Sequence, residues 1–514
     1  MCNCKLEVEQ LNKELIEAYS KIKALQDKLK VKNEQLNSLS RNLFGRKSEK
    51  VLDDGNYLPG LELKLLKEKK EDTSKPSDTG ENTPPKPRKK TSRFEFPASA
   101  ERIEKVIDLS EEKKEGLKYI GDDIVEKLVY KPGKYEVHVT RIKKYSASVN
   151  DILTVVTADY PKAAIPGSRL DESFLSHLLI SKYCDHLPLY RLEQIFSRSG
   201  LNIQRQTLSS LALQAGELLN PLGELLLKEI LDSKVMFTDD TPLKLLLKRN
   251  KKSKDKSKNI REARTWIYAT VKDSERPLIY YEFTPDRKHE HPREILQKFS
   301  GVLHSDAFEI YERMACLKKE ILWQPCWAHA RRKYFDSDNN EVKDRMIRLI
   351  DKLFEVERNI KTIDFTEYSA YERSSEIIKI RREFSKPVLE EIFKLALHII
   401  NSGEFIKAEK IYKASNYIIK RKQYFSNFLN NADIKIDNNL SERNIRPIAI
   451  GRKNWLFVGS ENGGKTLATI MSLTQTCKSW GINPQEYLED VLRRINNTPK
   501  ENYYELLPHK WKKL

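Results

Sequence analysis

The stretch from Asp437 to Trp455 brings acidic and basic side chains close together along the chain. Asp437 or Asn438 can cap a helix start there, because a short polar side chain accepts a hydrogen bond from a backbone N–H of the first turn. Glu442 and Arg446, four residues apart, share one helical face. That face could place a metal-binding carboxylate beside a phosphate-binding guanidinium. For a single Glu–Arg pair an ordinary surface helix is the better interpretation, so the chemical interpretation needs carboxylates from elsewhere.

Two apolar segments that end in aspartates could supply those carboxylates. Lys234–Pro242 has the pattern of a short strand ending in Asp239 and Asp240, and Gly301–Ala307 that of a strand closing on Asp306. Two further strands and a helix are predicted between them, at Trp266–Val271, Pro277–Phe283 and His291–Phe299. Three strands, a helix and a fourth strand, with acids on the first and fourth, is the order of a ribonuclease H-like α/β core.

A core of this kind holds two divalent metal ions between its carboxylates. One ion activates water or a 3′-hydroxyl, and the other stabilises the leaving oxygen. Mg²⁺ (or Mn²⁺) suits oxygen ligands and keeps exchangeable waters, so we expect two such ions and no zinc. The third acid must come from a later helix, where Glu442 is placed. The long gap before it contains residues 337–430, which we interpret as a helical insertion.

The composition of the chain indicates a polyanionic partner. Its 514 residues include 93 Lys and Arg against 75 Asp and Glu, a formal net charge of +18 at pH 7. Nucleic acid is the polyanion that this balance favours. The six Cys are scattered and do not resemble a disulfide framework. No apolar run approaches the ~18 residues of a membrane helix. We therefore expect a protein of a bacterial-type cytosol, associated with the nucleoid when bound to DNA, and no membrane partner.

The N-terminal region carries a long apolar seam. Apolar residues recur at alternating steps of three and four from Val8 to Leu43, interrupted only by Lys32. This pattern predicts a coiled coil within residues 1–50, and therefore a homo-oligomer. The alternative is one amphipathic helix packed on its own subunit. Residues 51–100 are rich in Lys, Glu, Pro, Ser and Thr and are predicted to be a disordered basic linker.

The remaining boundaries follow changes in pattern. Residues 101–165 contain short alternating segments, including Tyr135–Ile142, that predict a small β-rich module. The ribonuclease H-like core is predicted in two parts, residues 233–336 and residues 431–470. Residues 471–514 are predicted to be a C-terminal helical tail. The expected fold class is multidomain α+β.

Residues 166–232 have a helical pattern. Leu189–Phe196 and Gln204–Ala212 are each predicted to be helical, with a turn at Ser199-Gly200 between them. This is the spacing of a helix-turn-helix, whose second helix reads the DNA major groove. Arg205 and Gln206 are then candidate DNA contacts. An ordinary helical hairpin is the alternative, because the pattern is loose.

Motifs spread along nearly the whole chain resemble the large transposase of the insertion-sequence-66 family. They are Leu43-Phe-Gly-Arg-Lys-Ser-Glu-Lys50, Lys182–Arg191, Thr238-Asp-Asp-Thr-Pro242, Cys326-Trp-Ala-His-Ala-Arg-Arg-Lys-Tyr-Phe335, Asp437–Arg443, Gly451–Gly459 and Gly481–Leu488. The resemblance implies a DDE transposase with Asp239, Asp306 and Glu442 as its catalytic and metal-binding acids. Spacing alone does not single out these three residues.

The chain departs from the family pattern at two places. The family usually carries a cysteine zinc-binding module after the linker, but this chain has no Cys between residues 5 and 183. We therefore expect residues 101–165 to be a degenerate form of that module, without zinc. The family usually has Glu after the first catalytic Asp, whereas this chain has Asp240, which we interpret as a helper to Asp239.

Two further motifs have a metal- or phosphate-binding pattern. Gly459–Thr466 matches the phosphate-loop pattern. Too little chain follows it for the remaining strands of a nucleotide-binding domain, so we expect its glycines to form a flexible turn beside the active site. Cys326 and His329 have the spacing of a metal-ligand pair, which is half of a tetrahedral zinc site. We expect a structural or DNA-facing role for His329.

The sequence thus predicts metal-dependent DNA cleavage and strand transfer at the ends of an insertion sequence. Transposon ends and target DNA are the expected partners, and small accessory transposition proteins are partners that the resemblance adds. Basic residues near the motifs are expected to contact phosphates; they are Arg331, Arg332, Lys333, Arg443, Arg446, Arg452 and Lys453. The alternatives are a catalytically inactive, transposase-derived DNA-binding protein and an ATPase partner of such a system.

Overall fold

The computed structural model describes residues 135–139, 141, 144–149, 152–157, 162–247, 260–272, 276–338 and 340–513. The predicted coiled coil and basic linker lie outside these residues. The chain divides into two compact units, one of Val51–Tyr160 and one of Met1–Lys50 with Pro161–Leu514. Among the described helices, none is both long and apolar enough to cross a membrane.

The described part of the smaller unit is a β-hairpin. Strands β1 (Lys144–Val149) and β2 (Ile152–Thr157) pair antiparallel. Residues 135–139 form no strand, so the prediction of a strand at Tyr135–Ile142 is wrong for these residues. Val137 and Val139 are 89% and 79% exposed. An alternating pattern forms a stable strand only with a neighbour to pair and a face to bury, and these side chains bury neither face.

The larger unit begins with helices. They are α1 (Glu172–Leu179), which continues into a π-helical turn at Ile180–Cys184, α2 (Leu189–Arg198) and α3 (Arg205–Leu231). The two predicted helices and the turn between them are confirmed; Gly200 adopts a φ of +83° there, which glycine tolerates best. The apolar face of α3 from Leu208 to Ile230 is buried in the main core. Helix α3 is therefore a core helix with one exposed face, and all three residues at its start, Arg205–Thr207, are exposed.

A mixed five-stranded sheet forms the centre of this unit. Its strands are β3 (Val235–Leu246), β4 (Ile260–Lys272), β5 (Arg276–Thr284), β6 (Gly301–Ser305) and β7 (Ile321–Pro325). The strand order is β5-β4-β3-β6-β7. The first three strands pair antiparallel, while β6 and β7 run parallel to β3. The four predicted strands are confirmed, whereas β7 was not predicted.

Short helices connect the strands on the β6 side of the sheet. Helix α4 (Glu290–Leu296) lies between β5 and β6, and α5 (Glu309–Leu317) lies between β6 and β7. The predicted helix at His291–Phe299 is confirmed within about one turn. Because β6 runs parallel to β3, the carboxyl ends of both strands point in the same direction.

Helix α6 (Trp327–Phe335) follows β7 and precedes the helical insertion that was predicted for residues 337–430. The helices of the insertion are α7 (Glu341–Thr362), α8 (Ala370–Ile380), α9 (Lys386–Asn401), α10 (Lys410–Lys420) and the single turn α11 (Lys422–Phe425). They enclose a second apolar core. The buried Arg381 donates to Glu357 and to the carbonyls of Phe428, Asn431 and Ile434. This arginine fixes the chain segment that leads back to the sheet.

Three helices complete the unit, namely α12 (Asn439–Trp455), α13 (Glu461–Ser479) and α14 (Pro484–Arg494). Helix α13 covers the free edge of β5, where the hydroxyls of Ser472 and Thr476 accept hydrogen bonds from the N–H groups of Tyr281 and Ile279, at 2.8 Å and 3.1 Å. Side chains thereby satisfy an edge that would otherwise be open for pairing. The domain boundary predicted at 470/471 falls inside α13, which packs on β5 on both sides of it.

Candidate active site

Asp239 lies inside β3 rather than at its end. The strand continues to Leu246 because it pairs with β4 along this whole length. Its parallel pairing with β6 stops at Phe237↔His304, however. Asp239 therefore lies beside the point at which the chain leaves β6, and the predicted strand end proves to be the end of the neighbouring strand.

Asp306 is the first residue after β6. Asp239 and Asp306 each follow the paired residues Phe237 and His304 by two positions, so the fold places them side by side. A backbone N–H orients each carboxylate: Asp240 donates to Asp239 Oδ1 at 2.8 Å, and Phe308 donates to Asp306 Oδ1 at 3.0 Å. Two acids that are 67 positions apart in sequence are thus neighbours on rigid backbone.

Glu442 lies in the first turn of α12. The start of that helix is tied to β3 by Asn438, whose side-chain Nδ2 donates to the carbonyl of Thr238 at 2.9 Å. The N-cap residue is Asn438, whose side chain makes no capping bond, while Asp437 Oδ1 just before it accepts from the N–H of Asn439 at 3.0 Å. Because Thr238 precedes Asp239, this anchor brings the first turn of α12 to the pair of aspartates.

The three carboxylates share one electrostatic environment. Burial and the negative charges of Asp306 and Glu442 raise the pKa of Asp239 well above the ordinary value of a carboxyl. The three residues that the family resemblance selected are therefore brought together by the fold. The donors that they present are all oxygens, the type that Mg²⁺ and Mn²⁺ prefer, and a divalent cation would relieve their mutual repulsion.

Asp240 has a different environment from its neighbour. Its side chain is 3% exposed and lies between two guanidinium groups, Arg264 at 3.1 Å and Arg287 at 2.7 Å. Both carboxylate oxygens are engaged in these pairs. Asp240 therefore joins the sheet to the loop after β5, and its predicted help to Asp239 takes the form of structural support.

His329 and Cys326 lie next to Glu442. The His329 Nδ1 is 3.4 Å from Glu442 Oε1. Cys326, the residue before α6, is buried, and its sulfur accepts from the N–H of Asn438 at 3.2 Å. The predicted DNA-facing role of His329 does not fit this geometry, because its ring is directed at the carboxylate of α12.

Five of the predicted cationic DNA contacts are exposed on two helices that flank Glu442. They are Arg332 and Lys333 on α6, and Arg443, Arg446 and Lys453 on α12. Arg205 and Gln206 are also exposed, at the start of α3. These side chains are free to approach a nucleic acid, and their DNA contacts remain predictions.

One of the predicted phosphate contacts does not fit the structure. Arg331 is 4% exposed and donates to both carboxylate oxygens of Asp351, at 2.6 Å and 3.0 Å, so it has little capacity left for phosphate. Arg452 donates through Nη1 to Thr241 Oγ1 and to the carbonyl of Pro242, at 3.0 Å and 2.7 Å. Its Nε and Nη2 make neither of these bonds, and its DNA contact remains a prediction.

The Gly459–Thr466 motif is not a phosphate loop in this structure, and the predicted flexible turn is also wrong. Ser460 caps α13 by accepting from the N–H of Gly463, and the helix begins at Glu461. A Cβ on Gly464 would come within 2.4 Å of the ring of Phe283. The glycines therefore allow close packing of a helix on the sheet.

Sequence reasoning missed three side chains around the acids. Arg264 and Arg287 hold Asp240, and Tyr311 lies with its hydroxyl 3.3 Å from Thr238 Oγ1. Burial and the nearby Asp306 raise the pKa of Tyr311, so it remains a neutral phenol. None of them belongs to a recognisable motif, and only strand pairing and helix packing bring them to the site.

Comparisons with known proteins agree with this arrangement of motifs. Residues 167–466 match the Transposase IS66 family, and residues 472–509 match the IS66 C-terminal element. Residues 33–104, most of them outside the larger unit, match the description "Transposase C of IS166 homeodomain". The first of these matches contains the three acids, the whole sheet and the helical insertion.

Similar proteins occur in Sinorhizobium fredii. Uncharacterized protein y4qI is 31% identical over 447 residues, which is 83% of this chain and 78% of the relative. Uncharacterized protein y4hP is 28% identical over 423 residues, 77% of this chain and 72% of that relative. With the family match over residues 167–466 and this level of identity, the chain belongs to the IS66 family of transposases.

Proposed function

We propose that this transposase is a DDE-type enzyme that cuts DNA at the ends of an insertion sequence and joins the freed ends to target DNA. The observation that carries the proposal is the meeting of Asp239, Asp306 and Glu442 from three separate elements. The strand order β5-β4-β3-β6-β7, with three antiparallel and two parallel strands, supports a ribonuclease H-like core.

The donor set fits Mg²⁺ or Mn²⁺. Asp239, Asp306 and Glu442 would hold the ions, which we propose to be two. When bound, such ions polarise the attacking water or 3′-hydroxyl and stabilise the leaving oxygen. The role of the protein is to hold the carboxylates in place. Backbone N–H groups orient the two aspartates, and the bond from Asn438 to Thr238 fixes the position of Glu442.

DNA would approach along the exposed cationic side chains of α6 and α12, which flank Glu442. Phosphate contacts of this kind position the backbone of DNA without reading its sequence. The start of α3 and the homeodomain match at residues 33–104 are the candidates for sequence recognition, because homeodomains read DNA with a helix in the major groove. We also propose oligomerisation through residues 1–50, which would bring two DNA ends together.

The test is cleavage of DNA that carries the ends of the element. The full-length chain should release a 3′-hydroxyl with Mg²⁺ and give no product in a chelator. Asp239→Asn and Asp306→Asn should each abolish cleavage while binding of end DNA stays near the wild-type level. Substantial cleavage by both variants would refute the assignment. A wild-type chain that binds ends without cutting them would indicate the inactive DNA-binding alternative.

A further inference from the structure

Cys326, His329 and Glu442 form a cluster with the chemistry of a transition-metal site. One sulfur, one imidazole nitrogen and one carboxylate oxygen of these residues lie within 4.8 Å of one another. In a tetrahedral zinc site the ligand atoms are about 3.3–3.8 Å apart, given Zn–N near 2.0 Å and Zn–S near 2.3 Å. Small side-chain rotations would close the remaining gap. Thiolate, imidazole and carboxylate together are typical ligands of Zn²⁺, whereas Mg²⁺ avoids sulfur.

The backbone holds the three ligands on two joined helix starts. Cys326 precedes α6, and His329 lies one turn further on the same face. Glu442 lies in the first turn of α12. The N–H of Trp327 donates to the carbonyl of Ile436 at 2.9 Å, which joins the two segments just before both helices begin. Ligands on rigid elements are pre-positioned, so little conformational entropy is lost on binding.

A second observation points to a ligand at this place. The His329 Nδ1 is buried and makes no hydrogen bond within the described residues, although it lies 3.4 Å from Glu442 Oε1. A buried polar atom without a partner is costly. The sulfur of Cys326 accepts an N–H from Asn438, a bond that would also stabilise a thiolate. The three ligand atoms therefore lie close enough together for a shared cation to be reached by small side-chain rotations.

We propose that Cys326, His329 and Glu442 bind one Zn²⁺-class cation, distinct from the oxygen-bound ions of the acid triad. Binding would release the thiol proton of Cys326 to solvent. Three protein ligands leave one coordination position for water or another oxygen. In the sequence, Cys326 and His329 provide only two of the four ligands of a tetrahedral site. The fold adds Glu442 of α12 as the third. Zinc at this site would occupy Glu442 and compete with its role in cleavage, a consequence that rests on the proposed function.

Cobalt titration of the full-length chain tests the site without any need for activity. Co²⁺ bound to a thiolate absorbs in the near ultraviolet, and we expect this band to saturate at one equivalent. Cys326→Ser should remove the band. The matched controls Cys316→Ser and the double variant Cys2→Ser/Cys4→Ser should keep it. A wild-type chain without the band, or a band that survives in Cys326→Ser, would overturn the proposal.

The partly exposed His329 keeps the test decisive if Cys326→Ser fails to fold. His329→Asn should weaken cobalt binding by more than about tenfold. A loss of about tenfold in metal affinity is already typical when the mutated residue only hydrogen-bonds to a metal ligand. Asp306→Asn should leave the cobalt band and affinity unchanged, because Asp306 belongs only to the oxygen site. An unchanged affinity in His329→Asn, or loss of the band in Asp306→Asn, would refute the proposed ligand set.

Zinc inhibition then links the site to cleavage. Zn²⁺ should inhibit Mg²⁺-dependent cleavage by the wild-type chain and inhibit His329→Asn at least about tenfold less strongly, each relative to its own rate with Mg²⁺ alone. Equal inhibition of both proteins would refute the competition for Glu442. If neither protein cuts DNA, the proposed function fails, while the cobalt titration still decides whether the cation site exists.

Discussion

Gly459–Thr466 and the acid triad show opposite relations between motif and site. Gly459–Thr466 carries every letter of a phosphate loop, yet it forms the cap and first turn of α13 and packs on Phe283. Asp239, Asp306 and Glu442 share no local motif, yet they meet because β6 ends and α12 begins beside the middle of β3. The residues of a continuous motif can serve packing alone, whereas an active site needs side chains that converge from several elements.

The largest expected effect contrasts Glu442 with Lys465, the lysine of the phosphate-loop pattern. Glu442→Gln should lower cleavage by at least about 10²–10³-fold, the range for losing one preorganised electrostatic contact to the transition state. The exposed Lys465 should be replaceable by Ala with little change in rate. Single-turnover cleavage measures both. A comparable loss in Lys465→Ala would give the phosphate-loop pattern a chemical role.

The next prediction compares two acidic partners of Arg264, one buried and one exposed. Asp240→Ala removes the buried partner of Arg264 and Arg287 and should lower the free energy of unfolding by about 3 kcal/mol. Glu262→Gln removes another partner of Arg264, at 2.5 Å but 65% exposed, and should cost no more than about 1 kcal/mol. Urea denaturation compares them. Equal losses would mean that burial does not distinguish the two pairs.

A smaller effect tests whether the glycines of Gly459–Thr466 serve packing. A Cβ on Gly464 would meet the ring of Phe283, so Gly464→Ala should destabilise the chain by about 1–3 kcal/mol. Gly459 has no atom within 4 Å of such a Cβ, so Gly459→Ala should be close to neutral. Thermal unfolding separates the two. A neutral Gly464→Ala would show that Phe283 moves aside easily.

The last prediction concerns pH and separates the effect of burial on a pKa from that of neighbouring carboxylates. Burial raises the pKa of Glu282 on β5 to about 7, although the hydroxyl of Tyr268 donates to it at 3.4 Å. An acid with a raised folded-state pKa contributes stability that is present at low pH and lost as pH rises through that value. Glu282→Gln should therefore gain stability relative to wild type between about pH 4.5 and 7, by at most about 1.4 kcal/mol per pH unit.

The control for this pH dependence is Glu294, an exposed acid whose charge raises the pKa of Glu282 less than burial does. Glu294→Gln should change the slope of stability against pH only slightly. Denaturation series at several pH values measure both variants. If Glu294→Gln reproduced the whole effect of Glu282→Gln, charge repulsion and not burial would be the main cause.

The sequence predicted most regular elements because their patterns are local. Periodicity and turn residues predicted α2, the Ser199-Gly200 turn and the start of α3, and β-rich runs predicted β3 to β6. The sequence analysis missed the short β7. The phosphate-loop glycines were misread because their neighbour, Phe283, is remote in sequence.

The sequence by itself determined the chemical inventory of this protein: the acids, the basic excess and the family motifs that single out Asp239, Asp306 and Glu442. The tertiary structure decided how each side chain is used. Successive residues of a strand point to opposite faces, so Asp239 joins the carboxylates while Asp240 is enclosed by arginines. Likewise, the backbone link between the starts of α6 and α12 decided that Cys326 and His329 meet Glu442. Contacts between remote elements leave no periodic signal in the chain, which is why only the fold specifies them.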